Sequence, residues 1–341
     1  MGRASHFVED QFSEAESRQS YLVSEDRRMY QLLQRRVCDG EVVRIAPRIY
    51  ARKSYYTELD PNARAIHMLR ALSRRSPDMV FSHTSAALAY GLQVPWRLAS
   101  PIHCVVPRES HSRSTSGIIR HAHRSIDAIM FDGIRVTTPE CTVADCLRTL
   151  DLPEGLAIAD SVIATGLLTK TDMCDAIEAR VFYPGAEHAI QTARLADGRA
   201  ENGGESYARA TMLELGCASP DLQHEIVDPL TGAKYYSDFF WEREDGFDIA
   251  GELDGYEKYF NATMTSGKTL DEVLLDERVR ESRISASNIK VMRFRFADVL
   301  DRVGFAKLLG AYDVPMDNDP PRLLPHPRLC PKRRLHWSES E

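Results

Sequence analysis

Four acids and one lysine carry the chemistry available to this sequence. Asp238 lies inside the aromatic run KYYSDFFW, and Glu252 and Asp254 lie in FDIAGELDG. Lys258 follows them, and Glu205 precedes them in GGESYARATMLELG. Strand side chains alternate faces, so Glu252 and Asp254, two positions apart, point to one side. Asp238 falls on the preceding strand, and a hairpin of that length brings it beside them. Three carboxylates on one face repel one another unless a cation sits among them. Hard oxygen ligands suit Mg²⁺ or Mn²⁺. Such an ion activates a water and offsets charge developing on a phosphate, and Lys258 would orient that water or neutralise the phosphate. A second reading stays open, in which these acids are solvated residues of an ordinary sheet. Glu205 would then be a helix-dipole acid with an i,i+4 partner in Arg209. Acids are poor strand formers, however, and an aromatic run enclosing one argues for a placed acid.

The elements that must hold these residues can be read from periodicity. Met212, Leu213 and Leu215 mark a helix that stops at Gly216. LQHEIVD, KYYSDFFW and FDIAGELDG read as three strands, the last two joined by a turn at residues 242–246. Upstream, EDRRMYQLLQRRVCDG has Met29, Leu32, Leu33 and Val37 at helical spacing before Gly40. Val42–Ile45 and Ile49–Ala51 then flank a tight turn at Ala46, Pro47 and Arg48. A helix followed by a small basic hairpin is the end of a winged helix-turn-helix. Arg35 and Arg36 on the helix, and Arg44, Arg48 and Arg52 on the wing, would lie near a phosphate backbone. An ordinary helix-hairpin pair with a solvated basic face fits the same residues.

Between these regions, helices are expected at Asn62–Arg74, Thr84–Tyr90 and Pro139–Leu150. Strand-like pieces are expected at Ile102–Val106, Gly117–Ala122 and Ile134–Val136. His111, His121 and His123 lack carboxylate or thiol partners at ligand spacing and are read as polar surface groups, not as a metal site. Residues 152–199 read as three helices, a connector that packs head against tail. The predicted organisation is a flexible leader (1–19), a winged-helix domain (20–60), a small α/β module (61–151), the connector (152–200), a sheet domain (201–312) and a flexible tail (313–341).

Charge is uneven along the chain. Residues 27–76 hold twelve basic residues against four acids, although the net charge of the whole is -7. The total argues against a non-specific DNA coat, while a basic N-terminal module can still hold phosphates. No apolar run approaches the roughly 20 residues that span a bilayer, so no membrane partner is expected. Seven scattered cysteines without a CxxC pair suit reduced thiols and a cytoplasmic location.

Two resemblances add to this reading. LLQRRVCDGEVVRIAPRIYA, FSHTSAALAYGL, IHCVVPRES and GIRVTTPECTVADCL, in that order, resemble the AbiEi-type antitoxin family and its relatives. That resemblance implies a winged-helix DNA-binding head, a small α/β module, promoter binding and a toxin partner. The second region resembles the PD-(D/E)XK nuclease superfamily, in a branch related to very-short-patch repair endonucleases. The order is Glu205 on a leading helix, Asp238 on a strand, GELDG, then a basic helix and strand in LLDERVRESRISASNIKVMRFRFADVL, with Arg278 and Arg280 on that helix. It implies a restriction-endonuclease-like mixed sheet flanked by helices, within an α+β and α/β multidomain chain. Two departures stand out. Asp254 occupies the place of the superfamily's lysine, and Lys258 the place where the related branch carries a histidine. The expected function is a metal-dependent nucleic-acid phosphodiesterase, a DNA endonuclease directed by its head. The alternative is an antitoxin-like DNA-binding regulator whose nuclease-fold tail is degenerate, and an RNA-directed enzyme is a third.

Overall fold

In a computed structural model of the protein, residues 3–115, 117–254, 288–317 and 323 are described. Lys258, Arg278 and Arg280 therefore lie outside the described residues. The fold is mixed α and β, in two compact units. The first holds the described residues up to Leu150 together with Leu167–Ile190, and the second holds Asp151–Gly166 and the described residues from Gln191 onward to 317.

The first unit opens with α1 (Arg3–Ser17), β1 (Leu22–Val23), α2 (Arg27–Cys38), β2 (Val42–Ala46) and β3 (Ile49–Arg52). The helix and hairpin expected near the N-terminus are present. The Asp26 carboxylate caps α2, accepting from the Met29 N–H at 2.7 Å. Arg48 takes a left-handed conformation (φ 66°) in the tight turn. The strands form one sheet in the order β1-β3-β2. The flexible leader expected at residues 1–19 is instead helical over Arg3–Ser17. Val8, Phe12 and Ala15 recur at four- and three-residue spacing, all buried, and pack with Leu22, Leu33, Val42 and Tyr50. Burying that stripe is what orders α1. α1 reaches α2 through the extended β1, which pairs with β3.

The unit continues with α3 (Lys53–Glu58), α4 (Pro61–Arg75), β4 (Val80–Phe81), α5 (His83–Ala89), β5 (Ile102–Pro107), β6 (Ile118–His123), β7 (Ala128–Phe131), β8 (Ile134–Thr137) and α6 (Pro139–Thr149). Five of these strands form a mixed sheet in the order β6-β5-β4-β8-β7. Three helices follow as expected: α7 (Leu152–Ala164), α8 (Lys170–Glu178) and α9 (Ala186–Leu195). They do not make a separate connector. α7 belongs to the second unit and α8 to the first.

The second unit contains α7, α10 (Gly203–Glu214), β9 (Asp221–Val227), β10 (Lys234–Trp241), β11 (Asp248–Asp254), β12 (Ile289–Arg295), α11 (Phe296–Leu300) and α12 (Arg302–Ala311). Its sheet runs β12-β11-β10-β9, antiparallel through β9, β10 and β11, with β12 parallel to β11. One face carries the larger core, where Phe239, Trp241, Ile249, Met292 and Phe294 meet Met212, Phe305 and Leu309. Ile226, Phe240 and Ala250 cluster separately, as strand alternation requires. Gly251 permits the tight packing of β11 on β10, since a Cβ there would stand 3.2 Å from Phe239 Cβ and 3.3 Å from Trp241 Cζ3. The expected tail is pinned at its start. The Ala218 N–H donates to the Pro315 carbonyl (2.8 Å), the Asp317 N–H donates to the Gly216 carbonyl (2.9 Å), and Val314 is buried.

Candidate acidic site on the second sheet

Asp238 and Glu252 fall at the point where β10 and β11 part. The β10–β11 ladder pairs Trp241 with Ile249, Phe240 with Ala250 and Phe239 with Gly251. One further step along the same register sets Asp238 across from Glu252. There the backbone ladder gives way to a side chain, and the Leu253 N–H donates to Asp238 Oδ2 at 2.8 Å. On the other side of β10, Gln223 sits in a left-handed conformation (φ 51°) between the Leu222–Phe239 and His224–Ser237 pairs. This local break turns the Gln223 amide toward Glu205, and its Nε2 donates to Glu205 Oε2 at 3.3 Å.

Glu205 comes from the first turn of α10. The Asn202 side-chain oxygen caps that helix, accepting from the Gly204 and Glu205 N–H groups. The Asn202 amide returns to Glu205 Oε1 at 2.5 Å, and the Glu201 N–H donates to Oε2 at 2.7 Å. Glu205 is only 3% exposed. Burial, and then the charge of Asp238, push its pKa up to about 7. The Arg209 pair expected from helical spacing is absent. Arg209 instead holds Asp160 of α7 through Nη2, 2.9 Å from each carboxylate oxygen. Glu205 is thus left among hydrogen-bond donors, facing another acid.

Glu252 and Asp254 share a face of β11, as alternation predicts, but they do not simply converge with Asp238 on an open anionic surface. Parallel pairing puts Arg293 of β12 opposite Glu252. Its guanidinium stands 3.0 Å from Glu252 Oε2 and 3.7 Å from Asp254 Oδ1. Arg293 was legible only as a basic residue on the final strand. Parallel register is what brings it to the acids.

The donor set fits a hard divalent cation. It is all oxygen, and its most buried member is raised toward neutral pH by burial and then by the charge of Asp238, the second of which a cation would offset. Among the described residues, no three of the four acids bring ligand oxygens within 4.8 Å of one another. Mg²⁺ needs only one or two carboxylates and keeps several waters, so it does not require all four acids.

The basic head divides into two groups. Arg36 pairs with Glu9, and Arg52 pairs with Glu9 (2.9 Å) and Glu16 (2.8 Å), all acids of α1. These two arginines hold α1 on the hairpin and are not open to phosphate in the way the wing reading requires. Arg48 bonds the Glu25 carbonyl at 2.9 Å yet remains exposed, and Arg35 and Arg44 are exposed as well. The α1 acids escaped the reading because the leader was not recognised as a helix.

Comparison with known proteins adds little to these observations. No protein-family model matches the chain. Uncharacterized proteins from two strains of Mycobacterium tuberculosis are each 29% identical over 157 residues, covering 46% of this chain and 56% of theirs. The Gene 40 protein of Bacillus phage SP01 is 29% identical over 104 residues, covering 29% of each chain. The chain thus spans just over half the length of the Mycobacterium relatives.

Proposed function

We propose that the protein is a metal-dependent nucleic-acid phosphodiesterase, a DNA endonuclease whose N-terminal unit holds the duplex. One observation carries this reading. Glu205 feels the charge of Asp238, Asp238 falls across from Glu252 where the β10–β11 ladder opens, and Glu252 shares Arg293 with Asp254. When bound there, Mg²⁺ or Mn²⁺ would supply a Lewis acid and an activated water. Asp238 and Glu252 would hold the ion. Glu205, held by the Glu201 N–H, Asn202 and Gln223, would place its carboxylate beside Asp238. Arg293 can offset phosphate charge as it now offsets Glu252 and Asp254.

The test is cleavage of supercoiled and linear DNA, and of RNA, by purified protein in Mg²⁺ or Mn²⁺. Nicking of DNA is expected, with loss of at least about a hundredfold in Asp238→Asn combined with Glu252→Gln. Nicking that persists at full rate in the double variant would refute the assignment.

A specific observation favours a second reading. The Arg293 guanidinium already neutralises two of the four acids, as a retired site would require. Under that reading the protein is an antitoxin-like DNA-binding regulator, and its sheet unit receives a partner such as a toxin. Specific DNA binding without cleavage in any divalent metal would select it.

A further inference from the structure

A second cluster of ligating side chains lies in the first unit, far along the sequence from the acids. His83 opens α5, His103 lies on β5 and His121 lies on β6. One ring nitrogen from each falls within 4.8 Å of the others. His103 Nδ1 and His121 Nε2 are 2.9 Å apart, and the His83 ring stacks on that of His121 with centroids 3.7 Å apart.

An independent observation points to the same place. Asp145 of α6 is 2% exposed. Its Oδ1 is held by Arg148 at 2.6 Å, while its Oδ2 is buried and makes no hydrogen bond. That oxygen stands 3.9 Å from His83 Nδ1 and 3.9 Å from His123 Nε2. A carboxylate behind an imidazole fixes the ring and raises its basicity when the other nitrogen binds a metal. His83 Nδ1 also faces Ser82 Oγ at 3.0 Å.

We propose that His83, His103 and His121 form a transition-metal site, for Zn²⁺ in the first place, with Asp145 orienting His83. Three nitrogen ligands suit Zn²⁺ and not Mg²⁺, so this site is distinct in chemistry from the acidic one. Tetrahedral nitrogens at Zn–N distances near 2.0–2.1 Å lie about 3.4 Å apart, so on binding His103 and His121 would part slightly and the stacked His83 ring would turn its edge toward the ion. The pairing of β5 with β6 and the start of α5 just after β4 bring the three rings together.

The test uses the tag-free full-length chain, stripped with a chelator and reloaded with Zn²⁺, with metal content measured by mass spectrometry. About one Zn²⁺ per chain is expected. His103→Gln and His121→Gln should each abolish it with circular dichroism unchanged. Asp145→Asn should weaken it by about 10–100-fold. Asp238→Asn combined with Glu252→Gln should leave it intact, which separates this site from the acidic one. Full occupancy in both histidine variants, or no uptake by the wild type at micromolar free Zn²⁺, would overturn the proposal. Should those variants lose their fold, the Co²⁺-loaded wild type decides. Intense visible bands of tetrahedral nitrogen ligation support the site, and a pale octahedral spectrum refutes it.

Discussion

Glu205 shows how much one side chain's surroundings add to its identity. In sequence it is an acid in the first turn of a helix, where the helix dipole alone explains it. In the fold it is 3% exposed, bonded to Glu201, Asn202 and Gln223, and coupled to Asp238. Its pKa in the native state, about 7, lies above the ordinary 4.5. Between those values the native state therefore binds more protons than the unfolded state. Stability should fall as pH rises from about 4.5 through about 7, by up to about 3 kcal/mol. Urea midpoints measured in chelator near about pH 5 and about pH 8 will read this loss. Glu205→Gln should remove most of the slope, and a variant with the wild-type slope would show that other groups cause it. Asp238, by contrast, was legible from sequence, because a lone carboxylate inside KYYSDFFW has no local reason to be there. Arg293 was not, since nothing local pairs it with Glu252.

The elements follow from local patterns, and their joints do not. Hydrophobic periodicity correctly located α2, α4, α10 and the three strands of the acidic site. It missed α1, whose stripe of Val8, Phe12 and Ala15 is diluted by Glu9, Asp10, Gln11, Ser13 and Glu14. The joint between α7 and α10 illustrates what spacing cannot reveal. Asp160 and Arg209 are 2% and 4% exposed in their side chains and bond through both carboxylate oxygens. The Leu195 carbonyl and the Asp197 N–H complete the cluster. Removing one partner strands a buried charge, so Asp160→Ala or Arg209→Ala should each cost about 3–5 kcal/mol. Replacing both, with Asp160→Leu and Arg209→Met, should recover most of that loss. Chemical denaturation of the four proteins checks it, and additive losses in the double variant would contradict a coupled pair.

At the scale of the whole molecule, a net charge of -7 means that any polyanion must be held by a local patch. Arg35, Arg44 and Arg48 are exposed candidates, whereas Arg36 and Arg52 are committed to Glu9 and Glu16. Arg44→Ala and Arg35→Ala should each weaken DNA binding uniformly across sequences and lower the salt slope by about 1. Arg52→Ala should instead lower stability by loosening α1. Anisotropy titrations at several salt concentrations, run beside thermal melts, separate the two outcomes. Equal salt-slope losses for Arg44 and Arg52 would reject this division. The sequence by itself determined a mixed α and β chain, the order of most elements, the basic character of the head and the placement of Asp238, Glu252 and Asp254 on adjacent strands. These depend on periodicity, turn chemistry and composition, all of which are local. The tertiary structure alone decided that Arg293 sits between two of the acids, that the α1 acids pair with Arg36 and Arg52, and that His83, His103 and His121 meet. Those contacts join residues from separate elements, and they depend on sheet register and burial, which no local pattern encodes.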